Sequence, residues 1–200
     1  MESEMPNGLL LLMLTGLGLA GGSLLAFAGA PTETEALRLI IRGTARSSLI
    51  LFLLAFVAGP LHSLWPSAAS AALLKLRRWF GLSFALSHLT HAVVLVALAT
   101  RDPALFWSLT NPANVVTGGI AYGFILLMAA TSFDAARRWA IWPGLHRIGL
   151  WYLWISFVVA FGKRVPANPP YSIALVLLLV ALGLRMAAYR RKRAAVFAPR

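Results

Sequence analysis

The sequence predicts an all-α integral membrane protein, a bundle of six transmembrane helices that forms a single domain over residues 1–200. Of the 200 residues, 60% are hydrophobic and only 12% are charged. Several uncharged apolar runs approach or exceed the roughly 20 residues that a helix needs to cross a bilayer. The chain has no cysteine, which excludes disulfides, thiolate metal sites and Cys-ligated iron–sulfur clusters. Any transition metal would therefore be bound by histidine.

Three spans are predicted in the first half of the chain. Gly8–Ala30 is uncharged; the alternative is a secretory signal, since Ala26–Ala28 resembles a cleavage site, but no basic residue precedes the run and it is long for a signal. Glu35–Ser47 carries arginines at i, i+4 and i+8 beside apolar residues, which predicts a separate helix lying on the membrane surface. The second and third spans are Ser48–Trp65 and Trp79–Ala99.

Three further spans are predicted in the second half. Ala104–Phe133 is uncharged but longer than one span needs, and the turn and capping residues of Thr110–Asn114 divide it. The fourth span is therefore about Asn114–Phe133. The fifth runs from Trp139 through Phe161 and the sixth covers Tyr171–Tyr189, after a proline-rich turn.

The basic residues predict contact with lipid and the orientation of the chain. The formal net charge is +12, but the lysines and arginines lie in short groups beside the spans, where they contact anionic headgroups. This distribution argues against nucleic acid as a partner. With six spans, 12 of the 18 basic residues lie on the side that holds the termini. Both termini are therefore predicted to be cytoplasmic.

Three of the four histidines in the predicted spans are the candidate functional residues. An ionisable group at membrane depth is expensive, which makes it a functional-site hypothesis by default. His88 and His91 are three residues apart, so their side chains leave nearly the same face of the third span. The plain alternative is that these imidazoles bond backbone carbonyls between packed helices. His62 lies near the end of the second span and is interpreted as a solvated or capping residue.

His146 lies near the start of the fifth span, which enters the membrane from the same face as the third. At 1.5 Å per residue, His88 is about 13 Å beyond Trp79, while His146 is about 10 Å beyond Trp139. These depths predict that His146 and His88 lie at a similar level. Two imidazoles on facing helices would suit a bis-histidine b-type haem, whereas zinc would need more ligands than the spans offer.

The segment between residues 74 and 162 carries short motifs that resemble a known family. They are Arg77-Arg78-Trp79-Phe80-Gly81-Leu82, His91 ten residues after Gly81, Asn111-Pro112, Ala130-Thr131-Ser132 and Leu145-His146-Arg147-Ile148-Gly149-Leu150-Trp151-Tyr152-Leu153. This pattern resembles the ferric-reductase-like transmembrane domain. Within that family, the six-span layout is similar to the haem subunit of the bacterial periplasmic methionine-sulfoxide reductase system.

The resemblance implies a bacterial inner-membrane haem b protein that passes electrons across the membrane, with residues 74–162 as the haem-binding core. It implies a flavin or quinol donor, such as a flavin reductase, and a redox partner protein as acceptor. His91 and His146 fall on haem-ligand positions. The family usually has another histidine 13 residues after the second of these, where this chain has Val159. One haem is therefore expected, with His146 and either His91 or His88 as axial ligands.

The resemblance also suggests supporting residues around that haem. Trp151 or Trp154 would pack on the porphyrin, and Arg77, Arg78 or Arg147 would pair with a propionate. The protein would then be the membrane subunit of an oxidoreductase. Two alternatives stay open: a haem-free membrane scaffold of the same fold, and a small transporter that uses the histidines as a proton relay.

Overall fold

The computed structural model describes residues 5–133 and 141–197, and these residues form eight α-helices and no strand. Two predicted boundaries lie outside the described residues: the end of the fourth span, marked by Asp134, Arg137 and Arg138, and the start of the fifth span at Trp139. The helices are α1 (Met5–Gly29), α2 (Glu33–Leu64), α3 (Ala68–Lys75), α4 (Arg77–Arg101), α5 (Pro103–Leu109), α6 (Pro112–Ala130), α7 (Trp142–Gly162) and α8 (Tyr171–Phe197).

Six of these helices, α1, α2, α4, α6, α7 and α8, are long and apolar enough to cross a membrane. The predicted all-α membrane bundle is therefore confirmed. The two short helices are connectors that start at capping residues. Ser67 begins α3 with a capping box that it forms with Ser70, and the Asp102 side chain accepts a hydrogen bond from the backbone N–H of Leu105 at the start of α5.

The separate surface helix predicted at Glu35–Ser47 is wrong, because this segment is the first part of α2. The helix runs without interruption for 32 residues, about 48 Å at 1.5 Å per residue. Leu37, Ile40 and Thr44 are buried inside the bundle, so the segment packs as a membrane helix and keeps its arginines on the outer side.

α2 is the central helix of the bundle and contacts α1, α3, α4, α7 and α8. The first half of α2 contacts the second half of α4, so these two helices are antiparallel. The core is aromatic: the Phe52 ring lies 5.2–5.5 Å, centroid to centroid, from the rings of Phe56, Phe84 and Phe157. These contacts join α2, α4 and α7 at one level, and both α4 histidines lie next to that level.

Candidate functional site

His91 is held by a hydrogen bond between α4 and α2. Its Nδ1 atom lies 3.1 Å from the carbonyl oxygen of Ile41 and 2.9 Å from Oγ1 of Thr44. The Thr44 hydroxyl in turn donates to the carbonyl of Ile40 at 2.7 Å. A carbonyl can only accept, so in the tautomer that pairs with Ile41 the Nδ1 atom carries the proton. The lone pair then lies on Nε2, which is the arrangement found in metal-bound histidines.

His88 lies one turn before His91 and is surrounded by rings. The two imidazole centroids are 5.3 Å apart with planes 20° apart, so the rings stack. Phe84, Tyr122 and Phe157 lie around His88 at centroid distances of 5.4, 5.2 and 5.7 Å. Its Nδ1 atom is buried and has no hydrogen-bond partner within the described part of the chain. An unpaired buried nitrogen is costly, which marks the position as more than packing.

Three serines extend the polar contact between α2 and α4 and were missed by sequence reasoning. The Ser87 hydroxyl lies 2.8 Å from that of Ser47 and accepts from that of Ser48 at 2.9 Å. Ser87 also lies 3.3 Å from the carbonyl of Thr44, the residue that contacts His91. The available signal was the small polar residues inside two apolar spans, since such residues favour helix contacts in membranes.

His146 has a different environment, at the end of α6. Its Nε2 atom lies 3.0 Å from Oγ1 of Thr131, and its ring stacks on Trp142 at a centroid distance of 4.4 Å. The Trp142 indole N–H donates to the carbonyl of Thr131 at 2.9 Å. The two hydrogen bonds to Thr131, the C-cap residue of α6, therefore fix the start of α7 against the end of α6.

The structure brings His88 and His91 together but places His146 at another level. His88 contacts Phe157, which follows His146 by 11 residues on α7, or about 16 Å of helix. The distance between the two levels can also be measured along α6, and it is similar. Tyr122 contacts His88 and Thr131 contacts His146, and these two residues are nine positions apart, about 13 Å.

The depth match predicted for His88 and His146 is therefore wrong. Counting residues gives equal depths only when both helices start at the same level. Here Arg77, the first residue of α4, contacts Ala55 of α2, and the next residue of α2, Phe56, packs on Trp151. Trp151 is already nine residues into α7. α7 thus begins well outside the level at which α4 begins.

These positions test whether the chain suits a haem. At the level of His88, α7 presents Phe157, whose ring lies 6.0 Å, centroid to centroid, from that of Phe84, while Val159 is exposed on the opposite face of α7. No cluster of three or more His, Cys, Asp or Glu side chains occurs in residues 5–133 and 141–197. A haem bound there through one histidine would require these two rings to turn aside. The pairing of His146 with His88 or His91 on one haem stays a prediction, and the separation of their levels does not favour it.

The family model for the ferric reductase like transmembrane component matches residues 42–157. This stretch is 116 of the 200 residues and includes His88, His91 and His146. The chain belongs to the ferric reductase-like transmembrane family. Searches among curated proteins and among solved structures found no significant match. Ferric reductase-like domains generally bind haem and use redox cofactors, and membership indicates electron transfer by a protein embedded in the lipid bilayer.

Proposed function

We propose that this ferric reductase-like protein transfers electrons across the membrane through one b-type haem, with His91 Nε2 as an axial ligand. The observation that carries the proposal is the anchored imidazole: Nδ1 lies 3.1 Å from the carbonyl oxygen of Ile41, and donation to that carbonyl would leave Nε2 as the ligating atom. His88 leaves the same face of α4 one turn away, so it is the alternative ligand. The bound haem would supply one-electron redox chemistry.

The residues of the chain would orient and shield that group. Ile41 and Thr44 fix the tautomer and the ring orientation of His91. The level of His88 lies inside the bundle, where Phe84 and Phe157 are nearly fully buried, so a haem held there would be shielded from water. A low-dielectric, water-excluding shell is one of the features by which proteins adjust a redox potential.

We further propose a relation to the six-helix haem subunit of the bacterial periplasmic methionine-sulfoxide reductase system. The support is the six-span layout and the family match. Electrons would enter from a flavin or quinol donor on the cytoplasmic side and leave to a redox partner protein on the other. The excess of basic residues on the side of the termini supports both termini in the cytoplasm, and the relation to the bacterial system would place the protein in the inner membrane.

The test is the visible spectrum of the detergent-purified protein, expressed with ample haem and quantified as pyridine haemochrome. We expect about one haem per chain and a reduced spectrum typical of a single histidine ligand, which carbon monoxide shifts. His91→Ala should remove the haem. His62→Ala is the matched control, since His62 lies at the end of α2, bonded to Ser70 at 3.0 Å, away from the site.

The outcome for His146→Ala separates the two ligand arrangements. Haem retention would agree with one ligand on α4. A low-spin bis-histidine spectrum that His146→Ala abolishes would instead support the pairing predicted from the sequence and contradict the proposal. Full haem occupancy in His91→Ala would show that His91 is not the ligand. The proposal would then hold only if His88→Ala removes the haem, which would make His88 the ligand. An absence of haem in the native protein would exclude the proposed function.

A haem-free proton relay is the second candidate, and one observation favours it. His88 has a buried unpaired nitrogen next to His91, and His91 contacts the Thr44 hydroxyl beside the serine cluster. Such a row of exchangeable protons suits proton-coupled transport. Proton-coupled flux in liposomes, without haem and lost in His88→Ala, would support it. A scaffold of the same fold would give neither colour nor flux.

A further inference from the structure

A groove of about 660 Å³ lies between α1 and α2, lined by residues that fall between positions 14 and 26 of the first helix and 39 and 51 of the second. Every described residue that lines it is uncharged. Both helices are long and apolar enough to cross a membrane, so the groove lies at membrane depth and is reached by lipid-soluble molecules. Its volume is within the range of about 300–1,000 Å³ that is typical of small-molecule sites.

The groove extends to the level of His91. Thr44 lines it, and the Oγ1 atom of Thr44 lies 2.9 Å from Nδ1 of His91. On the other wall, α1 runs beside α4, with Gly16 against Leu86. Because α1 and α4 run in the same direction, Gly22, six residues after Gly16, lies at about the level of His91. A molecule bound in the groove would therefore be one side chain away from this histidine.

Glycines form both walls at this level. Gly22 lines the groove from α1, and Gly43, which precedes Thr44, lines it from α2. A Cβ atom added at either glycine would meet no other atom within 4 Å, so the groove is open at both positions. Glycine lets the backbone approach a ligand closely. The two walls thus suit a flat ring that lies against the backbone.

The hydroxyl groups of the groove present acceptors. Thr15 donates its proton to the carbonyl of Leu11 at 2.9 Å, and Ser23 donates its proton to the carbonyl of Leu19 at 2.7 Å. A hydroxyl has only one proton, so each oxygen keeps its lone pairs for a ligand. The groove therefore favours an uncharged molecule that donates hydrogen bonds.

We propose that the groove between α1 and α2 binds a lipid-soluble quinol. A quinol combines a flat uncharged ring, two O–H donors and an apolar tail. A phospholipid headgroup and the phosphate of a flavin nucleotide are charged and find no counter-charge among the lining residues, whereas an acyl chain has no donor for the hydroxyl oxygens.

The redox role of this quinol rests on the proposed function, in which a quinol is one of the two electron donors. Its binding site uses a part of the chain that the family match does not include. The α1 wall lies outside residues 42–157. The site is therefore a feature of this chain, and quinol binding is measurable whether or not haem is bound.

The experiment is native mass spectrometry of the full chain in detergent without oxygen, titrated with decylubiquinol, with the corresponding quinone or with phosphatidylcholine. We expect the quinol to bind more tightly than the quinone, which has no O–H to donate. Gly22→Leu and Gly43→Leu fill the groove and should weaken quinol binding about tenfold or more. Gly119→Leu is the matched control, because Gly119 is also exposed with no atom within 4 Å of an added Cβ but lies on α6.

Ser23→Ala tests the acceptor separately from the space. Ser23 bonds only within α1, so its removal leaves the contacts between helices intact. We expect about fivefold weaker binding of the quinol, the effect of one neutral hydrogen bond, and unchanged binding of the quinone.

Several results would overturn the proposal. Unchanged quinol binding in both groove variants would exclude the groove, and so would an equal loss in Gly119→Leu. Equally tight binding of phosphatidylcholine would show that the groove takes any acyl chain. Tighter binding of the quinone, or an equal loss of both forms in Ser23→Ala, would contradict the role of the acceptors. Haem content is measured on the same samples: haem without quinol binding would exclude this site alone, and quinol binding without haem would exclude only the electron-transfer proposal.

Discussion

Arg185 is expected to compensate for a hydrogen bond that Pro60 removes from α2. Proline has no backbone N–H, so inside a helix it leaves the carbonyl four residues earlier without its partner. That carbonyl belongs to Phe56, and it is the one to which Arg185 donates at 3.2 Å. A carbonyl unpaired inside a bundle is costly. The two residues should therefore depend on each other although they lie on different helices.

The magnitude follows from the contacts of Arg185. A hydrogen bond from a charged donor contributes about 1.5–3 kcal/mol, and the position over the Phe56 ring adds about 0.5–2 kcal/mol. Arg185→Met keeps most of the apolar stem and should lower the free energy of unfolding by roughly 2–5 kcal/mol. In the Pro60→Ala background the alanine N–H pairs with the carbonyl. The same change should then cost only the ring contact, about 0.5–2 kcal/mol.

The assay is a double-mutant cycle from denaturant unfolding in detergent of the wild type, both single variants and the double variant. We expect a coupling of about 1.5–3 kcal/mol between the two positions, the value of the charged hydrogen bond. Arg191→Met is the control, because Arg191 donates to Ser63 and Leu64 near the end of α2 and should not couple to Pro60. Additive effects of Pro60→Ala and Arg185→Met, within about 0.5 kcal/mol, would refute the reasoning.

Other predictions concern single contacts. Thr44→Val removes the hydroxyl 2.9 Å from Nδ1 of His91 and should weaken haem binding about tenfold in a hemin titration of the apoprotein; unchanged affinity would argue against orientation by α2. Gly149→Val should lower stability by about 1–3 kcal/mol in thermal unfolding, since even a Cβ meets an α6 side chain at 2.5 Å; a wild-type melting curve would show that α6 and α7 can separate at no cost. Gly8→Ala should displace α1 from the Trp79 ring, which tryptophan fluorescence would report and an unaltered emission maximum would contradict.

The sequence by itself determined the class of the protein and its number of spans. Uncharged apolar runs such as Gly8–Ala30 favour the interior of a bilayer. Such a run must be helical there, because a helix satisfies its own backbone hydrogen bonds where no water is present. The short motifs around His91 and His146 also indicated the family that the match over residues 42–157 supports. Both results depend on local composition and spacing, which need no knowledge of packing.

The tertiary structure decided how the helices are offset along the membrane normal, and with it which residues meet. Residue counts placed His146 level with His88, but α7 begins well outside the level of α4, and His146 contacts Thr131 instead. The surface helix at Glu35–Ser47 was wrong for a similar reason, since burial against α4 keeps α2 continuous. Periodicity describes the face of one helix. The relative height of two helices depends on the side chains that pack between them, and only the folded bundle fixes those contacts.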